Sequence, residues 1–221
     1  MAMSGQIPIQ FPEQLLSFDE LTVTAANRGP ISAIRRAELW PYHVFCLVGS
    51  PRSGRTTLAQ AWVKERSGTY LTAETCAALS SADIDAMAAG SVAVDEADAT
   101  ADDGILLTMI GAFERSGGRL LLTAGAAPAR WQTSSPDLAS RLRSAPIGSL
   151  GAPDEELMRA RIRRACERAY MKLPDAVEDY LVTRLGLDFA LIESTISDLN
   201  GAMGVRPLTV PLAREVLKGN T

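Results

Sequence analysis

The sequence predicts a parallel α/β core followed by a small helical bundle. Three observations carry that expectation. Short apolar runs alternate with helical patterns through about residue 148. A glycine-rich turn of phosphate-binding spacing joins the first run to a helix. From Asp154 onward the periodicity is helical alone. A chain of 221 residues suits one domain with an appendage. The divisions expected are a tail over 1–19, an α/β nucleotide-binding domain over 20–148 and a helical lid over 149–221.

The elements follow in order. The first twenty residues hold scattered apolar positions with Pro8 and Pro12 among them, an extended tail and a docking segment. Ile31 to Leu39 reads as a short helix. His43 to Val48 (HVFCLV) is a brief apolar, β-branched run and reads as a buried strand. Thr57 to Arg66 is helical, and Tyr70 to Thr72 is a short strand. Ser91 to Val94 is a strand with an acidic end. Ile105 to Arg115 carries Leu106, Met109, Ile110 and Phe113 at helical spacing. Arg119 to Thr123 is a strand, and Pro136 to Leu142 is a short helix. Asp154 before Glu155 and Glu156 favours a helix start. A second helix runs from Pro174 to Leu185, a third from an Asp188 cap to Leu199, and a last one from Val210 to Lys218.

Composition bounds the function. Lys plus Arg number 22 against 26 Asp plus Glu, a net charge of −4, which argues against electrostatically driven nucleic-acid binding. Cys46, Cys76 and Cys166 are widely spaced and read as reduced core residues of a cytoplasmic protein. His43 is the only histidine, so a serine–histidine triad or a multi-histidine metal site has little to work with. No apolar run reaches membrane-spanning length, and the first ten residues lack the features of a signal peptide. Trp40, Trp62 and Trp131 read as packing anchors.

The chemistry concentrates in two segments. Gly49, Ser50, Pro51, Arg52, Ser53, Gly54, Arg55 and Thr56, followed by Thr57, fit G-x-x-x-x-G-[KR]-[ST] after a strand and before a helix. Glycines let backbone N–H groups curl around phosphate oxygens, and the helix N-terminus adds a favourable dipole. Thr56 offers a hydroxyl to Mg²⁺. Arg55 stands where lysine is usual, a planar fork instead of a compact charge, so nucleotide binding is expected to survive better than hydrolysis. Val92 to Glu96 ends an apolar strand with Asp95 and Glu96. One carboxylate can hold Mg²⁺, and the next can orient an attacking water.

With these motifs the chain resembles AAA+ ATPases of the bacterial replication-initiator group, and within it the DnaA-related regulators, over nearly its whole length. Pro136 to Leu142 (PDLASRL) resembles the box around the arginine finger, with Arg141 the matching arginine. Arg143 is its rival. Gly151 to Asp154 resembles the opening of the lid, and Arg206 to Glu215 the closing segment. Ala26-Asn27-Arg28 resembles the segment near the adenine, placing Asn27 at the nucleotide. Gln6-Ile7-Pro8-Ile9-Gln10-Phe11 resembles a motif for the DNA polymerase sliding clamp (beta subunit). In it Gln6 would hydrogen-bond while Ile7, Ile9 and Phe11 fill an apolar groove.

The resemblance implies a P-loop AAA+ module, ADP or ATP with Mg²⁺ held by Thr56 and Asp95, and a partner in DnaA. It implies no direct sequence-specific DNA contact and no membrane, and it allows a homodimer. The initiator's basic DNA-reading domain is not expected after the lid. Catalytic roles fall to Asp95, Glu96 and, toward a partner's nucleotide, Arg141. Departures weaken intrinsic hydrolysis: Gly125 follows Thr123-Ala124 where the sensor 1 strand often continues with aspartate, and Phe189 to Leu199 holds no sensor 2 arginine, Ala190 or a neighbour standing there. ADP is expected to bind tightest. The leading expectation is a negative regulator of replication initiation that stimulates DnaA-ATP hydrolysis. The alternatives are a self-sufficient P-loop ATPase or nucleotide kinase, and an AAA+ adaptor for DNA loading. The basic run Arg159, Arg161, Arg163, Arg164 and Arg168 reads as a solvated helix face.

Overall fold

The computed structural model describes residues 16–99, 102–186, 188–204 and 206–219. The segment Gln6 to Phe11, read above as clamp-binding, lies outside them.

Five parallel strands form the centre: β1 (Val44–Gly49), β2 (Thr69–Thr72), β3 (Ser91–Asp95), β4 (Arg119–Ala124) and β5 (Ile147–Leu150). Their spatial order is β2-β3-β4-β1-β5. β1 pairs with β4 through Val44 to Val48 against Leu120 to Ala124, and with β5 through Cys46 to Gly49 against Ile147 to Leu150. Parallel strands need crossovers, and helices supply them: α1 (Arg28–Arg35) precedes β1, and α2 (Arg55–Glu65), α3 (Ala73–Ala77), α4 (Ser81–Met87), α5 (Asp103–Ser116) and α6 (Pro136–Ser144) link the strands. Four helices close the chain: α7 (Glu155–Arg168), α8 (Asp175–Leu185), α9 (Ala190–Met203) and α10 (Val210–Gly219).

Burial on both faces explains why β1 reads as an unbroken apolar run. Alternate residues enter different layers. Val44 and Cys46 pack with Val92, Val94, Leu120, Leu122 and the apolar side of α5, including Met109 and Phe113. Phe45 and Leu47 face the other way, against α1, α2 and a stack of Trp40 on Phe45 and Trp62. The indole N–H groups are satisfied: Trp62 Nε1 donates to Ile34 O at 2.9 Å and Trp40 Nε1 to Ala33 O at 2.8 Å. A separate cluster, including Met158, Ile162, Leu181, Ile192 and Leu199, forms the core of α7 to α10. All three cysteines are free and buried, and burial pushes the Cys46 thiol up to about 12.

Three elements lie outside the expected set. α3 and α4 are short, and each starts from a polar cap, Thr72 and Ser80 respectively, instead of a long amphipathic stripe. β5 has four residues and alternates exposed and buried positions, the pattern of an edge strand, and it runs through Leu150, past the boundary read at 148. The cap of α9 is also corrected: the helix begins at Ala190 with Phe189, not Asp188, at the cap position.

Trp62 is fully buried at one end of the aromatic stack, against Trp40. Trp62→Ala is expected to lower the unfolding free energy by about 3–5 kcal/mol, read from urea denaturation followed by circular dichroism.

Candidate nucleotide site

The site lies at the carboxyl ends of β1, β3 and β4, where open α/β sheets place ligands. β1 ends at Gly49, and α2 starts six residues later. Two glycines make the intervening loop possible. A Cβ on Gly49 would stand 2.5 Å from Ser53 Oγ. Gly54, at the N-cap of α2, has φ +100°, a conformation that side chains disfavour. Arg52 adopts φ 63° without being glycine. Such positions concentrate where a loop is shaped for a ligand.

Asp95 sits at the end of β3 with 6% of its surface exposed. Buried polar oxygens demand hydrogen bonds, and three hydroxyls supply them. Thr56 Oγ1 and Tyr70 Oη each donate to Asp95 Oδ2 at 2.7 Å, and Thr123 Oγ1 donates to Asp95 Oδ1. Thr123 Oγ1 also accepts from Glu96 N at 3.0 Å. Burial and Asp95 raise the Tyr70 phenol pKa well above its ordinary value, so Tyr70 remains a donor at neutral pH. Glu96 is exposed at φ 52°. The structure thus brings Thr56 of the phosphate loop onto Asp95, with Glu96 next in the chain.

Among the described residues, Ser53 Oγ and Arg55 Nη1 are buried and find no hydrogen-bond partner. Orphaned polar atoms beside a loop of backbone donors fit phosphate oxygens. A Cβ on Gly125 would lie 3.4 Å from Asp98 Oδ2 and 3.7 Å from Arg55 Nη1, while Gly125 N donates to Asp98 Oδ2 at 2.8 Å. Among the described residues no group of three or more His, Cys, Asp or Glu is arranged to hold a metal. Thr56 and Asp95 supply two hard oxygen donors, which suits a Mg²⁺ completed by phosphate and water.

Beside the loop is a cleft with an apolar wall, including Ile31, Leu58, Leu150 and Leu157, and a lid wall bearing Arg161, Arg164, Arg168 and Phe189. Asn27 also lines it. Its side chain shapes the preceding turn, accepting from Thr24 N at 2.8 Å and donating to Thr22 O at 2.9 Å. Asp154 caps α7 at Leu157 N and also accepts from Ala26 N, which ties the lid to this turn. The Thr24 hydroxyl, Leu157 N and Ala26 N hold its carboxyl below the usual aspartate range. The basic run of α7 is therefore not one solvated face: Arg161, Arg164 and Arg168 turn to the cleft. Helical phase alone could not show which face met the loop.

Arg141 lies elsewhere, and none of its partners lines the cleft. Its Nε donates to Asp137 Oδ1 at 3.0 Å and its Nη1 to Glu114, which also accepts from Tyr42. These carboxylates, Asp137 first, raise its pKa. Arg143, two residues on, is exposed. Ahead of α6, Asp103 accepts from Thr133 Oγ1, Ser134 N, Ser134 Oγ and Ser135 N. These bonds, the Thr133 hydroxyl first, hold its carboxyl below the usual range. The sequence reading placed Thr123 in the sensor 1 strand and gave neither it nor Tyr70 or Phe189 a role at the site. The one local signal was a threonine at the end of an otherwise apolar strand.

No protein-family model matches the chain. Solved structures share the fold, a parallel five-stranded sheet with helices. Domain III of the Thermotoga maritima replication initiation protein DnaA superposes with a TM-score of 0.78 at 18% identity, covering 92% of this chain and 95% of that one. A replication initiator DnaA bound to AMPPCP and single-stranded DNA gives 0.70 at 17%, covering 91% and 68%. The Thermotoga maritima RuvB Holliday junction branch migration motor gives 0.67 at 18%, covering 92% and 71%.

A group whose pKa is depressed by folding stabilises fully above its unfolded value and loses that contribution as pH falls through the folded one. The loop before α6 is therefore expected to hold at pH 7 and to loosen as the pH falls below about 4, the ordinary aspartate value. Hydrogen exchange at Ser134 and Ser135 across that range checks this, and in Asp103→Asn the step should vanish.

Proposed function

We propose that the chain is a nucleotide-binding regulator of replication initiation of the Hda type. One observation carries the nucleotide part: a phosphate loop with orphaned Ser53 Oγ and Arg55 Nη1 opens into a cleft with an apolar wall and an arginine-bearing wall. Apolar surface suits a base, and the loop suits phosphates. In this reading Gly49 to Thr57 hold the phosphates, and Asn27 shapes the turn beside the base. Mg²⁺ bound by Thr56 and Asp95 would neutralise phosphate charge. The comparison with an AMPPCP-bound initiator supports the same assignment.

The regulatory part is supported by residue patterns. Gln6, Ile7, Ile9 and Phe11 form the clamp-binding motif, and Arg141 occupies the arginine-finger box. A finger stabilises charge developing on a partner's γ-phosphate and can be worth orders of magnitude in rate. For Arg141 to act on DnaA-bound ATP, its guanidinium must exchange Glu114 and Asp137 for phosphate oxygens. Intrinsic hydrolysis is weak in this reading, because Arg55 replaces a lysine and α9 carries no basic residue. The competing reading, a self-sufficient ATPase, draws on the paired Asp95 and Glu96, and turnover by the purified chain separates the two.

Calorimetry should give binding heat with ADP and ATP, ADP the tighter. In a reconstituted assay with clamp on DNA and DnaA-ATP, Arg141→Ala should reduce stimulated hydrolysis by about 10³-fold while leaving clamp binding intact. Arg143→Ala should stimulate normally. Replacing Gln6 and Phe11 by alanine should abolish clamp retention; unchanged retention would remove the tail from the proposal.

A further inference from the structure

Four of the five arginines of α7 fall into two pairs, and Arg161 stands apart. Arg159 and Arg163 are engaged by carboxylates: Arg159 pairs with Glu155 and Asp179, and Arg163 with the buried Glu178. In the cleft, Arg168 pairs with Glu193 and Arg164 donates to Glu20 O at 2.9 Å. Arg161 differs from these four in touching the phosphate loop. Among the described residues it forms no ion pair with a carboxylate within 4 Å. Its Nη1 donates to Arg52 O at 2.9 Å, inside the phosphate loop, and its guanidinium lies 4.5 Å over the Phe189 ring. Burial lowers its pKa, the sign of a cation partly stripped of water.

That arrangement presents a binding fork. A guanidinium has five donors in one plane, and the bond to Arg52 O uses one. Phe189 fixes the plane by covering a face. The loop it touches contains the unpartnered Ser53 Oγ and leads into the N-terminus of the eleven-residue α2. A desolvated cation attracts an anion more strongly than a hydrated one does. The third lid helix, Ala190–Met203, holds no basic residue to do this instead.

We propose that Arg161 reads the phosphate end of a bound nucleoside di- or triphosphate, the first lid helix supplying the cation that the third lacks. The inference rests on the nucleotide reading of the cleft and assigns its phosphate selectivity to one side chain. The same bond to Arg52 O couples the lid to the phosphate loop, so ligand phosphate and lid position report to each other.

The test is calorimetry of the full chain with ATP, ADP and AMP, on the wild type and on Arg161→Ala, Arg161→Lys and Arg163→Ala. Arg161→Ala should weaken ATP and ADP by about tenfold or more, the loss of one charge-assisted hydrogen bond. AMP should change by less than about threefold. Arg161→Lys should recover part of the loss, since it keeps the charge but not the fork, and Arg163→Ala should bind as wild type. Unchanged ATP affinity in Arg161→Ala overturns the inference alone. So does an equal loss for all three nucleotides, which marks a purely structural role. If Arg161→Ala fails to fold by circular dichroism, Arg161→Lys decides by the same ATP-to-AMP comparison. Absence of binding by the wild type overturns the nucleotide reading and this inference with it.

Discussion

The Asp95 carboxylate is the constraint on which the site depends. It is buried at the carboxyl edge of the sheet, and its oxygens must be satisfied by hydrogen bonds. Its three hydroxyl donors come from different elements: Thr56 from the first turn of α2, Tyr70 from β2 and Thr123 from β4. One side chain therefore sets the phosphate loop, the strand beside β3 on one edge and the strand beside it on the other. Thr123 passes the constraint on by receiving Glu96 N. Moving Asp95 would disturb all four connections together, because interactions within one hydrogen-bonded network are coupled.

The second organising feature is the separation of two kinds of arginine. Those bound by carboxylates, Arg141, Arg159 and Arg163, act as struts: Arg141 joins α6 to α5, and Arg159 and Arg163 join α7 to α8. Arg161 is held by a carbonyl and an aromatic ring instead. A cation compensated by neutral groups keeps its charge available to a ligand, whereas a neutralised one must first be released. On this view Arg161 and Arg141 present opposite problems. Arg161 is already poised at its own cleft, and Arg141 must exchange its partners to serve another molecule.

Much of the core was legible because its physics is local. The run His43 to Val48 announces a strand buried on both faces, and the structure has β1 over Val44–Gly49. The stripe Leu106, Met109, Ile110 and Phe113 announces a helix, and all four are buried in α5. Elements without such a stripe were not legible. α3 and α4 are only five and seven residues long, and β5 pairs four residues at the edge of the sheet. Short elements take their stability from neighbours, so their own residues carry a weak signal.

The phosphate loop, its position between strand and helix and the acidic strand end were determined by the sequence alone, because each depends on residues adjacent in the chain. The role of individual side chains across the cleft was decided only by the tertiary structure. Nothing local in the run from Arg159 to Arg168 tells Arg161 from Arg163. One meets Arg52 O, 109 positions away in sequence, and the other meets Glu178 on the next helix. Likewise nothing near Thr123 says that its hydroxyl will reach Asp95, 28 positions earlier. Such contacts exist only once the sheet is ordered and the lid is packed, and so the chemistry of the cleft belongs to the fold.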